Sequence, residues 1–340
     1  MIQKIHLQNF RNFTSKTFEF DKKVTVIIGP NATGKTNLLE SIFLLSTGKS
    51  FKANLEDEMI NQDEKFARVK ALVNDLKLEV LLTREIYKRK KLLLNGVSKR
   101  LVDFAGQFKV VLFGPWDMDL VTASPSLRRR FLDTVLSQID REYRRSVLSY
   151  EKGLRQRNRI LWDIRENPST MGSHERLLFW DQLLIKNGDY ISQKRQEFIN
   201  FINSLDNKSL VNSYQLIYDK SAISESRLED YAREEIAAAT TLVGPHRDDF
   251  IFQIGKRNLS HYGSRGEQRM GVLWIKLAEL AFIKEKTKEN PTLLLDDIFS
   301  ELDHPHRKIV SKVVKNQQTI ITAADPHFII DMPEVKRIKF

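Results

Sequence analysis

The segment Gly29-Pro30-Asn31-Ala32-Thr33-Gly34-Lys35-Thr36 constrains this chain more than any other, because it sets backbone path, helix placement and ligand chemistry together. It matches G-x-x-x-x-G-K-[ST] at every fixed position, with the apolar run VTVII before it and NLLESIFLL after it. A strand that feeds a glycine-rich turn and opens a helix aims backbone amides and the positive end of a helix dipole at one point. Glycine lets that backbone wrap closely around phosphate oxygens. In such a loop Lys35 neutralises the β- and γ-phosphates of a nucleoside triphosphate and the Thr36 hydroxyl ligates Mg²⁺. Residues Gly29 through Thr36, with Asn37 directly after them, form the candidate nucleotide-binding set.

A second apolar run, Thr292-Leu293-Leu294-Leu295, ends in Asp296-Asp297. Buried parallel strands in folds with such a loop deliver a carboxylate at their C-terminal edge, beside the phosphates. Asp296 is the expected Mg²⁺ residue, acting through water because Mg²⁺ keeps much of its hydration shell. Asp297 is the expected group that orients or deprotonates an attacking water, which with Lys35 makes the candidate catalytic pair. Upstream, Ser264-Arg265-Gly266-Glu267 opens the helix predicted over Glu267–Lys288; a Ser and Gly at a helix start form an anion site of low specificity.

The remaining text bounds the class. The chain has 340 residues, enough for two domains, and its 41% hydrophobic content supports a packed core. It has no cysteine, which excludes disulfide scaffolds, thiol catalysis and cysteine-ligated metal sites. Neither a signal-like N-terminus nor an apolar run of membrane-spanning length is present in the sequence, so a soluble, cytoplasmic protein without a membrane partner is expected. The seven histidines show no metal-ligand spacing, and His246 is read as structural.

Residues 1–115 read mainly as strands around one helix: Ile2–Phe10, Phe18–Ile28, Val69–Thr83, Lys90–Leu94 and Phe108–Phe113, with Asn95-Gly96 as a hairpin turn. From Leu127 to about Asn203 the periodicity is helical, broken at Glu166–His174. Strand-like text returns near Thr240. The reading is an α/β domain split in sequence, residues 1–120 with 240–340, carrying a helical insertion over 121–239.

The order of phosphate loop, long insertion, capped helix, acidic strand and then Ser300-Glu301-Leu302-Asp303 resembles ABC-type ATPases of the SMC and double-strand-break-repair class. The resemblance narrows with RNF (11–13), STGKSFKA (46–53), VVLFGPWDMDLV, SPSLRRRFLD (124–133), QRN (156–158), GPHRDD (244–249), SRGEQR and LLLDDIFSELD. These motifs run in the order found in the RecF family of DNA replication and repair proteins and cover essentially the whole chain. The resemblance implies an ABC-type P-loop ATPase head without a long coiled coil. It implies a weak ATPase whose ATP-dependent homodimer clamps duplex or gapped DNA in recombinational repair, replication restart and the SOS response, with RecO and RecR as mediator partners. Carried onto this sequence, Ser264, Arg265, Gly266 and Glu267 form the signature that caps the γ-phosphate held by the partner protomer. Ser300 and Asp303 line that interface, and Arg11 and Asn12 fall near the nucleotide.

Three positions depart from related ATPases. Asp297 stands where most ABC enzymes carry Glu, and its shorter reach implies slow turnover. Glu267 occupies the fourth signature position, where other relatives have Gln. Ala323-Ala324-Asp325 offers no switch histidine, and His327 lies too far along to be taken as equivalent.

The net charge is +11, and residues 128–159 contribute more than half of it through Arg128, Arg129, Arg130, Arg141, Arg144, Arg145, Lys152, Arg155, Arg157 and Arg159. A second cluster, Lys88-Arg89-Lys90-Lys91 with Lys99 and Arg100, flanks the Asn95-Gly96 turn. Together they are read as a DNA backbone surface, although any single arginine can instead serve an internal ion pair. Two rivals remain from the residues alone: a nucleotide-gated clamp that hardly hydrolyses ATP, and a small-molecule P-loop enzyme such as a kinase.

Overall fold

The computed structural model describes residues 1–84, 89–167, 173–205, 213–302, 304–324 and 335–340. Asp303 and His327 lie outside the described residues, as does Lys88. In chain order the elements begin with β1 (Ile2–Phe10), β2 (Phe13–Glu19), β3 (Val24–Ile28), α1 (Lys35–Thr47), β4 (Phe66–Val73), β5 (Leu76–Thr83), β6 (Arg89–Leu94) and β7 (Val97–Lys99). Next come α2 (Leu101–Phe104), β8 (Val110–Phe113), α3 (Asp119–Thr122), α4 (Pro125–Ile139), α5 (Arg141–Glu166) and α6 (Ser173–Ser204). They continue through β9 (Tyr214–Asp219), α7 (Glu225–Asp230), α8 (Ala232–Ala238), β10 (Asp249–Ile254), β11 (Arg257–Asn258), α9 (Leu259–Tyr262) and α10 (Arg265–Thr287). The last are β12 (Thr292–Asp296), α11 (Ile298–Glu301), α12 (His304–Val314), β13 (Thr319–Ala323) and β14 (Lys336–Lys339).

The chain divides into two compact units, Met1–Asp117 with Glu279–Phe340, and Met118–Ala278. The first holds a six-stranded antiparallel sheet in the order β2-β1-β4-β5-β6-β7 and a five-stranded sheet in the order β14-β3-β13-β12-β8. Every neighbouring pair in the second sheet is parallel. Its β12 and β13 are buried along their whole length, as the unbroken apolar runs LLL and II require. Helix α1 is buried nearly all round, its polar Lys35, Glu40, Ser41 and Ser46 included. Leu38, Leu39, Ile42, Phe43, Leu44 and Leu45 join the core with strands of both sheets.

Two local features of this unit follow from turn chemistry. The run read as Val69–Thr83 is two strands, split where Asn74 takes a φ of 50°. Asn95 and Gly96, at φ 51° and 81°, make the tight hairpin that their residue types favour.

In the second unit, α5 and α6 pack as an antiparallel pair with α4 against them. A three-stranded antiparallel sheet in the order β11-β10-β9 completes the unit. Strand β9 lies inside 121–239, the stretch expected to form a helical insertion. Its alternating pattern, with Tyr214 and Leu216 buried and Gln215 exposed, is a strand signal, and its ladder with β10 runs from Tyr214↔Ile254 to Asp219↔Asp249. That ladder ties residues 249–254 to the helices within the compact unit Met118–Ala278.

A polar core explains three of the sequence motifs. Arg195, almost fully buried, donates to Asp133 and Asp248 at 2.9 Å each and to the Pro245 carbonyl at 2.7 Å. Arg128 forms a forked pair with Asp249 at 2.6 and 2.9 Å. Arg157, 3% exposed, donates to Asp181, Glu235 and Thr241. Asn158 accepts from the Thr241 amide at 2.9 Å. SPSLRRRFLD and GPHRDD therefore hold each other together, and QRN anchors Glu235 and Thr241 just ahead of GPHRDD. Arg128 and Arg157, counted above with the basic surface, belong to this interior, because burying Asp249 and Glu235 requires partners for their charges.

His246 meets the Tyr150 hydroxyl through Nδ1 at 2.8 Å and the Thr241 carbonyl through Nε2 at 3.0 Å, which supports its structural reading. Burial pushes its pKa from 6.5 down to about 4, with Arg247, Arg129 and Arg157 adding to the effect. The unfolded chain gains this proton below pH 6.5 and the folded chain only near pH 4. Stability is therefore complete above pH 6.5 and falls by about 3 kcal/mol as pH drops toward 4. Urea unfolding across that interval is expected to show this loss, and His246→Gln is expected to flatten it.

Candidate functional site

The phosphate loop leaves β3 at the C-terminal edge of the parallel sheet, where open α/β sheets place their ligands. Ala32 at φ 66° and Gly34 at φ 105° lie in the left-handed region, the kind of backbone from which anion-binding loops are built. Gly34 is required twice over, since a Cβ there would also meet the Asn12 side chain at 2.6 Å. No acidic residue occupies the first turn of α1, so its dipole is not offset there. Lys35 is buried to 7% exposure, and its ammonium donates to the Gly29 and Pro30 carbonyls at 2.7 and 2.8 Å. Gly29 through Thr36 thus form a tight loop at the start of α1 whose residue types and helix end suit a polyphosphate.

Thr36 donates from Oγ1 to Asp296 Oδ2 at 2.7 Å. Asp296, 5% exposed, also accepts from Thr322 Oγ1 on Oδ1 at 2.5 Å. The Thr36 hydroxyl and the Asp296 carboxylate therefore converge as hard oxygen donors, a pair that can hold Mg²⁺ with water completing its shell. Asp297 follows in the left-handed conformation at φ 50°. Its amide is held by the Thr322 carbonyl at 3.2 Å and by Thr322 Oγ1 at 3.1 Å. A left-handed aspartate beside a carboxylate that could hold a metal, its amide supported from the next strand, would suit the positioning of a nucleophilic water.

Thr322 was not singled out in the sequence. Its only signal is register: β13 lies between β3 and β12, and Thr322 pairs with Asp296. Glu40 is a second such residue. It is 0% exposed within α1, and its oxygens accept from Arg11 at 2.8 and 2.6 Å and from Ser50 at 2.5 Å. Arg11 also donates to the Glu58 carbonyl at 2.6 Å, so its guanidinium is committed to bracing α1.

Asn12 contacts the loop itself, donating to the Thr33 carbonyl at 3.0 Å and accepting from Asn37 at 2.9 Å. Lys52 donates to Asn37 at 3.2 Å. The RNF and SFKA motifs are thereby explained as the supports of α1 and the loop. Ser300 donates to the Asp297 carbonyl at 2.6 Å.

In the second unit, Ser264 caps α10. Its amide donates to Glu267 Oε2 at 2.8 Å, and its hydroxyl accepts from the Glu267 amide at 3.3 Å. These bonds, with Arg257 behind them, hold the Glu267 carboxyl below the usual range. Ser264, Arg265 and Gly266 are exposed, and a Cβ on Gly266 would meet nothing within 4 Å. On α5, Arg141, Arg145, Lys152, Arg155 and Arg159 are all exposed and recur at spacings of three, four and seven, which puts them on one helix face. Among the described residues no cluster of three or more His, Cys, Asp or Glu could hold a metal, and no helix is long and apolar enough to cross a membrane.

The family profile described as RecF/RecN/SMC N terminal domain matches residues 1–340. The DNA replication and repair protein RecF of Lachnoclostridium phytofermentans is 34% identical over 353 residues, covering 99% of this chain and 97% of that protein. A solved structure of the recombination mediator protein RecF-ATPrS in the RecFOR pathway is 31% identical with a TM-score of 0.89, covering 100% of this chain and 96% of that one. The Smc head domain with a coiled coil and joint from Pyrococcus yayanosii has a TM-score of 0.55 at 14% identity, a likeness of fold alone, covering 100% of this chain and 95% of that one.

Two substitutions separate the support of the site from its ligand chemistry. Arg11→Leu strands a buried Glu40 and is expected to cost about 3–5 kcal/mol, read as a fall in denaturation midpoint. Thr322→Val removes the group that orients Asp296 and is expected to weaken Mg²⁺-dependent nucleotide binding roughly 10–100-fold, as for other residues that orient metal ligands. Titration calorimetry with and without EDTA checks the second.

Proposed function

This chain belongs to the RecF family, and we propose that it is an ATP-dependent DNA-binding protein with weak ATPase activity, acting in recombinational repair and replication restart. The observation that carries this reading is the convergence of Thr36 and Asp296 at the mouth of the loop, with Asp297 held next to them. A kinase-like rival needs neither a capped helix start with open space over Gly266 nor a row of five exposed cations on α5.

In this reading Gly29 through Asn37 cradle the ATP phosphates, and Asn12 keeps the loop in shape. Thr36 and Asp296 would hold Mg²⁺, which would supply neutralisation of the phosphate charge. Asp297 orients the attacking water and accepts its proton, and its short side chain keeps turnover slow. Ser264 and Gly266, with Arg265 and Glu267, present the helix start to the γ-phosphate bound by a second copy. Ser300 lines the same interface, together with Asp303.

In this reading the functional head is residues 1–120 with 240–340, which takes in the part of the second compact unit from β10 to the start of α10, and the insertion 121–239 carries the DNA face. Contacts that exist only when two copies share a γ-phosphate make ATP the switch for dimerisation. The exposed α5 cations bind the DNA backbone without reading bases. The RecFOR-pathway context of the structural relative supports RecO and RecR as partners that load the recombinase, in the cytoplasm.

Light scattering tests the reading directly. The wild type is expected to be monomeric alone and dimeric with ATP·Mg²⁺, Ser264→Arg to stay monomeric, and Asp297→Asn to dimerise and release DNA slowly. A wild type that hydrolyses ATP while remaining monomeric in every condition would falsify the shared site.

A further inference from the structure

The outer side of the first α10 turn is open, and its inner side is held by residues from elsewhere in the second unit, among them Arg257, Leu259 and Tyr214. Tyr214, the first residue of β9, donates its hydroxyl to the Glu267 carbonyl at 3.1 Å. Its ring stacks on Trp274, with centroids 5.7 Å apart and planes at 27°. It lies so close to Gly271 that a Cβ there would come within 3.3 Å of Tyr214 Cε1. Residues 267, 271 and 274 are spaced by four and three, so one aromatic side chain spans two turns of one helix face.

The other end of this contact leads to the basic helical pair. Asn203, in the last turn of α6, donates to the Leu216 carbonyl at 2.8 Å and accepts from the Leu216 amide at 2.9 Å. That closed pair fixes β9 to α6 two residues beyond Tyr214. Helix α6 in turn packs along α5, which carries the five exposed cations. Direct contacts therefore run from the hairpin through Asn203, Leu216 and Tyr214 to the turn that bears Ser264 and Gly266.

We infer that Tyr214 is a positioning residue for the Ser264–Gly266 turn, and that Asn203 and Tyr214 couple occupancy of the α5–α6 hairpin by DNA to ATP-dependent dimerisation. The inference rests on the function proposed above. A buried tyrosine needs a partner for its hydroxyl. Here that partner is a carbonyl in the first turn of a helix whose amide-bearing end must meet a phosphate in a defined orientation. Because β9 is a short strand pinned at both contacts, a displacement of the end of α6 is passed on to Glu267 and not absorbed by a loop.

The test uses the full chain, Tyr214→Phe and Asn203→Ala, with ATP·Mg²⁺ titrated in the presence and absence of a short duplex, and dimer formation followed by light scattering. Tyr214→Phe keeps the ring, the Trp274 stack and the Gly271 contact. It is expected to bind ATP as a monomer and to melt as the wild type does, while dimerising roughly two- to tenfold more weakly, the worth of one hydrogen bond. Asn203→Ala is expected to bind duplex normally without nucleotide but to lose the shift that duplex produces in the ATP dependence of dimerisation. The inference is overturned if Tyr214→Phe dimerises as the wild type does with and without duplex. It is equally overturned if melting temperature and monomer ATP affinity fall in step with dimerisation, since that marks a structural role only. A wild type that never dimerises with ATP removes the underlying function as well, and so is distinguishable from both.

Discussion

Asp296 accepts one hydrogen bond on each carboxylate oxygen, from Thr36, 260 residues earlier, and from Thr322, 26 residues later. Strand β12 cannot touch the loop-bearing β3, because β13 lies between them. The carboxylate and its two threonines bridge that gap in a buried setting where a misoriented charge would be costly. The position of the loop relative to the acidic strand and the left-handed turn at Asp297 both depend on this junction. So does the direction of the hard oxygens, and with it the chemistry of the site.

The same logic of buried charge governs the supports. Glu40 lies inside a helix buried nearly all round, and only Arg11 and Ser50 make that tolerable. In the second unit Arg128, Arg157 and Arg195 play the corresponding part for Asp249, Glu235 and Asp248. A buried ion pair adds little net stability relative to apolar packing, but losing one partner is severe. Such pairs favour one arrangement of the elements that carry them.

Much of this was legible in the residues. The loop, the acidic strand and the capped α10 each have a local chemical signature, since their backbone needs are met by nearby residues. The Asn95-Gly96 hairpin was readable for the same reason. Strand β9 was not, because a six-residue alternation after long helices carries little weight until β10 pairs with it. Arg128 and Arg157 counted as surface charge for a related reason: a sequence shows the sign of a side chain, and its partners Asp249 and Glu235 lie 121 and 78 residues away.

The sequence by itself determined the fold class and the family, and with them the candidate groups for a nucleotide site, because glycine, lysine, threonine and paired aspartates act through local geometry. Only the tertiary structure decided which cations are interior and which lie along α5, that Thr322 orients both aspartates, and that Tyr214 grips the start of α10. Those outcomes depend on strand order, register and burial. They arise from contacts between residues far apart in the chain, where spacing along the sequence carries no distance.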